Sequence, residues 1–97
     1  MRMTSVLLLL GFTWPALASA AQLRLTWEDT TTSEAGFLIE RRMATEESFT
    51  PLTTVGVNLT TYVDYTVEAG TIYCYQVRAF DAEEDSAPSN EACSQAQ

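Results

Sequence analysis

The 97-residue sequence contains no histidine and no lysine. Without histidine it lacks the usual general base near neutral pH and the imidazole ligand of most metal sites. Without lysine it lacks an amine for Schiff-base chemistry. The five arginines face thirteen carboxylates, giving a formal net charge of −8. That balance excludes binding to DNA or RNA phosphates, which rests on many cationic contacts. Two cysteines are too few for a cysteine-built metal centre, and no Cys-x-x-Cys redox motif is present. The length allows one small domain.

The one sustained apolar run lies at the N-terminus, residues 6–12, behind the single positive charge of Arg2. It falls well short of the ~20 residues needed to span a bilayer. Small residues and a Trp14-Pro15 break follow, ending in Ala18-Ser19-Ala20. A basic start, a short apolar stretch and a small-residue triplet are the pattern of a secretory signal peptide, residues 1–20, cleaved after Ala20. No cysteine stands at that junction to carry a lipid anchor. The mature domain would be residues 21–97, with four arginines against the same thirteen acids, −9. Export places Cys74 and Cys93 in an oxidising compartment, where a small even number of cysteines forms disulfides. Two separate buried thiols are the alternative.

The remainder alternates in short segments. Leu23, Leu25 and Trp27 are interleaved with Arg24 and Thr26, the period of a half-buried strand. Phe37, Ile39 and Arg41 share one face of the next segment, with Leu38 and Glu40 on the other. Residues 49–55 form a weaker strand confined to an edge by Pro51. Residues 60–63 are a short Thr/Tyr-rich strand, residues 72–80 are the strongest strand in the chain, and residues 87–94 form the last. Gly56, Asn58, Gly70 and the acidic stretch 81–85 punctuate them. No window has helical apolar spacing over helix length. Short strands every 8–12 residues or so point to an all-β antiparallel sandwich.

In its motifs the chain resembles a fibronectin type III domain of the small exported bacterial kind, an immunoglobulin-like fold. Leu23-Arg24-Leu25-Thr26-Trp27 matches strand B with its core tryptophan, and Gly36-Phe37-Leu38-Ile39-Glu40-Arg41 matches strand C. Thr61-Tyr62-Val63-Asp64 matches strand E, and Ser86-Ala87-Pro88-Ser89-Asn90-Glu91 the opening of strand G. Gly70-Thr71-Ile72-Tyr73, followed by alternating apolar residues to Phe80, matches strand F and its tyrosine corner. The resemblance implies a core position for Trp27, a buried ring with a backbone-bonded hydroxyl for Tyr73, and a Cys74–Cys93 disulfide joining strands F and G. It also exposes two departures. Only Ala21 and Gln22 precede Leu23 after cleavage, so strand A is short or missing and strand B lies at a sheet edge. The F–G turn, residues 81–85, has no glycine and must place any positive-φ residue elsewhere or avoid one.

Catalysis is not expected. No His-paired Ser or Cys is available, and a thin sandwich does not enclose the sugar-sized cleft that a carboxylate pair would need. Asn58-Leu59-Thr60 fits a glycosylation sequon, coincidental in a bacterial chain. The resemblance implies that the B–C, C′–E and F–G loops gather at one pole. That pole would hold Glu28, Asp29, Glu34, Asp81, Glu83, Glu84 and Asp85, seven of the thirteen acids. It is either a solvated, self-repelling surface, or a weak Ca²⁺ site or docking face for a cationic partner. No other cofactor is expected. The expected role is a secreted or periplasmic binding module for a protein or cell-surface component. The alternatives are an assembly subunit that self-associates through the strand B edge and a spacer domain from a larger exported enzyme.

Overall fold

The computed structural model describes residues 7–9, 21–29 and 34–97, and these described residues form seven strands and no helix. In chain order they are β1 (Leu7–Leu9), β2 (Leu23–Glu28), β3 (Gly36–Met43), β4 (Thr50–Gly56), β5 (Thr61–Asp64), β6 (Ile72–Phe80) and β7 (Ala92–Gln95). They pair antiparallel into a three-stranded sheet, β1-β2-β5, and a four-stranded sheet, β4-β3-β6-β7. Period-two alternation decides the facing: Leu23, Leu25 and Trp27 from one sheet meet Phe37, Ile39, Tyr75, Val77 and Ala79 from the other. Trp27 meets Phe37 edge to face at 5.6 Å between ring centroids. Both sheets bury their inner side chains and solvate much of their outer ones, so the fold is an immunoglobulin-like β-sandwich.

The strand carrying Pro51 is indeed an edge, and it also carries a bulge opposite the Ile39/Glu40 step. The missing donor and the extra residue both blunt that edge against further pairing. The last strand is shorter than its sequence pattern suggests: only Ala92–Gln95 forms a ladder, not residues 87–94. Before it, Pro88 interrupts the pattern, and Ser86 and Ser89 substitute for ladder residues. Their backbone N–H groups donate to the Ala79 and Val77 carbonyls at 2.7 and 2.8 Å. Their hydroxyls accept from the N–H groups of Ala79 and Val77, each at 2.9 Å. Serine can replace a strand here because its hydroxyl offers the acceptor that a neighbouring carbonyl would have supplied.

The most N-terminal strand lies within the segment with signal-peptide character. Leu7, Leu8 and Leu9 stand opposite Glu28, Trp27 and Thr26. The rest of that segment, including the expected cleavage site, lies outside the described residues.

Gly36 opens β3 where the two flanking strands crowd it. A Cβ there would collide with the Val55 carbonyl oxygen and sit 3.0 Å from Cζ of Phe80. The carbonyl belongs to a paired backbone and cannot yield cheaply. Gly36→Ala is therefore expected to destabilise by about 1–3 kcal/mol through overpacking, read as a lower urea midpoint with an unchanged slope.

Candidate functional site

The loop pole is assembled by strand register. Gly36 stands opposite both Phe80 and Gly56, so the loops before β3, after β4 and after β6 begin side by side. Ala35 N–H donates to the Phe80 carbonyl at 2.7 Å, and Trp27 N–H to the Thr60 carbonyl at 3.0 Å. These bonds bring the segment after β2 and the 57–60 turn to the same end.

The seven acids are not equivalent there. Glu28, Glu83 and Asp85 are exposed, while Asp29, Asp81 and Glu84 are half-buried. Glu34 retains only 9% of its surface and does not belong to the solvated cluster. Asp81 builds its own turn: its Oδ1 accepts the N–H groups of Glu83 and Glu84 at 2.8 and 2.9 Å, and its N–H donates to the Glu84 carbonyl. The bond from Glu83, then that from Glu84, holds the Asp81 carboxyl below its usual range. This side-chain cap explains a turn without glycine: among described residues only Asn58 has positive φ outside glycine, and it lies in another loop. Among the described residues, no pole carboxylate joins a cluster of three ligand groups within 4.8 Å. The cluster that does meet that spacing is Cys74, Glu91 and Cys93, whose sulfurs are bonded to each other.

The sulfurs of Cys74 and Cys93 lie 2.10 Å apart, and the residues are direct register partners across β6 and β7. Cys74 points to the outer face, yet it is only 2% exposed, whereas Cys93 is open to solvent. Glu91 beside them is ion-paired with Arg42, whose guanidinium lies over the Phe49 ring.

Trp27 is 3% exposed and has no stacking face to offer a ligand. Tyr73 is buried, and its hydroxyl accepts the Glu68 N–H at 2.9 Å, pinning the bend before β6. Gly70, at φ +89°, completes that bend. Tyr65, in the same connection, stands 67% exposed.

One polar centre has no counterpart among the expected site residues. Asp64, at the end of β5, is fully buried. It accepts hydrogen bonds from Arg41 Nη1 at 2.8 Å, Tyr75 Oη at 2.8 Å, Thr66 N at 2.9 Å and Thr66 Oγ1 at 2.6 Å. Burial pushes its carboxyl up, but the bonds from Thr66, Tyr75 and Arg41 outweigh burial and hold it below the usual range. Burial, then the bond to Asp64, raises the Tyr75 phenol well above its ordinary value. The Arg41 guanidinium, though partly desolvated, is held charged by Asp64 and covers the Tyr73 ring at 5.1 Å. The sequence signal for this centre was an Asp closing a strand with a Thr two residues on, a local side-chain-to-backbone motif. All four bonds come to Asp64 from groups of the protein itself, so the centre ties the end of β5 to β3 and β6.

The sequence matches no protein-family model and no curated protein. Solved structures do match over nearly the whole chain. An Fn3-like protein from Clostridium thermocellum superposes with a TM-score of 0.70 and 23% identity, covering 95% of this chain and 88% of that one. A two-domain fibronectin type III segment of chicken tenascin superposes at 0.78 with 12% identity, covering 97% and 50%. The fold is that of a fibronectin type III domain. The sandwich also matches part of the β-1,2-glucanase of Parabacteroides distasonis, at 0.79 and 16% identity. There it covers 97% of this chain but spans only 13% of the glucanase. In this fibronectin type III frame, β2, β3, β5, β6 and β7 occupy strands B, C, E, F and G. The short β1 takes the place of strand A, and the tyrosine-corner bond is the one from Glu68 to Tyr73.

Proposed function

We propose that the protein is a non-catalytic, exported interaction module that engages a protein or cell-surface partner through its loop pole. The observation that carries this reading is the Asp81-capped turn. Its bonds set the shape of the turn after β6, on which Glu83 and Asp85 stand exposed to solvent. Domains of this fold commonly serve as interaction or spacer modules. The cysteine pair supports an oxidising destination. Among the described residues, no helix is long and apolar enough to cross a membrane.

Capture from the envelope and secreted fractions of the source organism tests the reading, with the Glu83→Gln, Glu84→Gln, Asp85→Asn triple variant as its control. A cationic partner held by the wild type, released by salt and not held by the variant is the expected result. Capture by neither protein, or by both equally, removes the pole from the function. Calcium is the other occupant expected for an acidic pole, although no three of its carboxylates gather at ligand spacing among the described residues. A melting temperature raised by millimolar Ca²⁺ in the wild type but not the variant would replace the cationic partner with the ion. The partial match to the glucanase favours one second reading, a spacer domain beside a catalytic unit; a gene extending into such a unit would establish it.

A further inference from the structure

We propose that removal of the leader turns β2 into a self-complementary edge, and that the exported chain dimerises by pairing β2 antiparallel with β2 of a second copy. The proposal rests on the export reading above but not on the identity of the pole's partner.

The backbone decides which groups are available. Trp27 N–H is bonded toward β5, and the Leu25 carbonyl accepts from Thr61 Oγ1 on the same side. Backbone groups alternate along a strand, so Arg24, Thr26 and Glu28 direct their N–H and C=O groups to the opposite edge. That is the edge on which Leu7–Leu9 lies, with Leu7 opposite Glu28 and Leu9 opposite Thr26. Cleavage after Ala20 takes these three residues away with the leader. It leaves a two-stranded sheet, β2-β5, in which the outer edge of the longer strand has lost its β1 neighbour.

The other edges are defended. The β4 edge carries Pro51 and a bulge, and β5 and β7 have only four residues each. The uncovered β2 has six residues, no proline and no bulge.

Its side chains also match a copy of themselves. Centring a two-fold axis on Thr26 places Thr26 opposite Thr26, and Arg24 of each copy opposite Glu28 of the other. All three outward-directed residues then exchange backbone hydrogen bonds. Arg24 and Glu28 are both exposed, and neither forms an ion pair among the described residues. The buried row of Leu25 and Trp27 continues across the axis on the core side. The product is a continuous four-stranded sheet, β5-β2-β2-β5. Until cleavage, β1 holds the same edge, so the precursor cannot dimerise this way.

The test uses protein exported from cells expressing the full chain, with its N-terminus fixed by intact mass. Sedimentation of the chain beginning at Ala21 is expected to show a concentration-dependent dimer. Arg24→Glu or Glu28→Arg sets like charges face to face twice and is expected to weaken it about tenfold, while the double exchange restores it. Thr26→Cys gives a register readout that does not depend on affinity. Paired residues of this kind lie about 5.5 Å apart at Cα, within disulfide reach, so covalent dimers form at position 26 and not with Arg24→Cys. A monomeric chain beginning at Ala21 would falsify the proposal. A dimer indifferent to both single reversals, or an exported chain that keeps residues 7–9, overturns it equally. All three outcomes are independent of whether the pole captures a partner.

Discussion

Asp64→Ala is expected to cost about 3 kcal/mol or more, a large share of the roughly 5–15 kcal/mol that holds a domain of this size. The substitution leaves the Tyr75 hydroxyl, the Thr66 N–H and the Arg41 guanidinium without their common acceptor. Tyr75 is fully buried, so its orphaned hydroxyl bears the desolvation penalty. Arg41 keeps 25% exposure, so water takes up part of its charge and the expected cost stays near the lower end for a broken buried pair. Asp64→Asn preserves shape and some acceptor capacity and should fall between. The same carboxyl gives a pH signature. Its folded pKa lies below the unfolded value of about 3.9. The stability it supplies is therefore complete well above that value, and it is lost as pH falls toward and through the lower folded pKa. Urea midpoints measured from pH 6 to pH 2 should drop more steeply below about pH 4 for the wild type than for Asp64→Asn. Parallel profiles would show that the carboxylate does not carry this linkage.

The contrast between Asp64 and the acidic loops shows how far sequence could go. Alternation sets Leu23, Leu25 and Trp27 on one face and Phe37 with Ile39 on another, and both faces are buried, because period two and burial are the same fact in a sandwich sheet. Pro51 marked an edge because its missing N–H excludes an inner position. Charge could not be located the same way. Asp64 and Glu34 look as polar in sequence as Glu83, yet the first is fully buried, the second 9% exposed and the third solvated. What separates them is a set of partners from distant strands, Arg41 and Tyr75 for Asp64, which only tertiary pairing assembles. The serines before β7 misled for a related reason. Ser86 and Ser89 continue the hydrogen bonding of a strand through their hydroxyls, so the pattern of residues 87–94 suggested a ladder that the backbone does not form. The outer-facing Cys74 is hidden as well, joined to Cys93 across the neighbouring strand.

Removing that bridge is the second large effect expected. The Cys74→Ala, Cys93→Ala pair opens a loop with a sequence separation of 19. In the chain-entropy account, closing such a loop contributes about 3 kcal/mol. For a domain of this size that corresponds to a melting temperature lower by roughly 12–24 °C. The damage should begin locally. β7 has only four residues, and beyond it Ala96 is buried while exchanging hydrogen bonds with Gly70 and Thr71. Without the bridge, β7 and the bend that Ala96 covers are held by those few ladder bonds, the Gln95 side-chain bond to the Gly70 carbonyl and the packing of Ala96. Hydrogen exchange should therefore accelerate at residues 92–96 and 70–71, while the β3–β6 pair keeps its protection. The effect should not simply add to that of Asp64→Ala, because Cys74 adjoins Tyr75 and loosening β6 disturbs the same hydroxyl. Thiol titration of the unfolded wild type without reductant should find none. Two titratable thiols, or an unchanged melting temperature in the double variant, would show that strand pairing and core packing hold β7 by themselves.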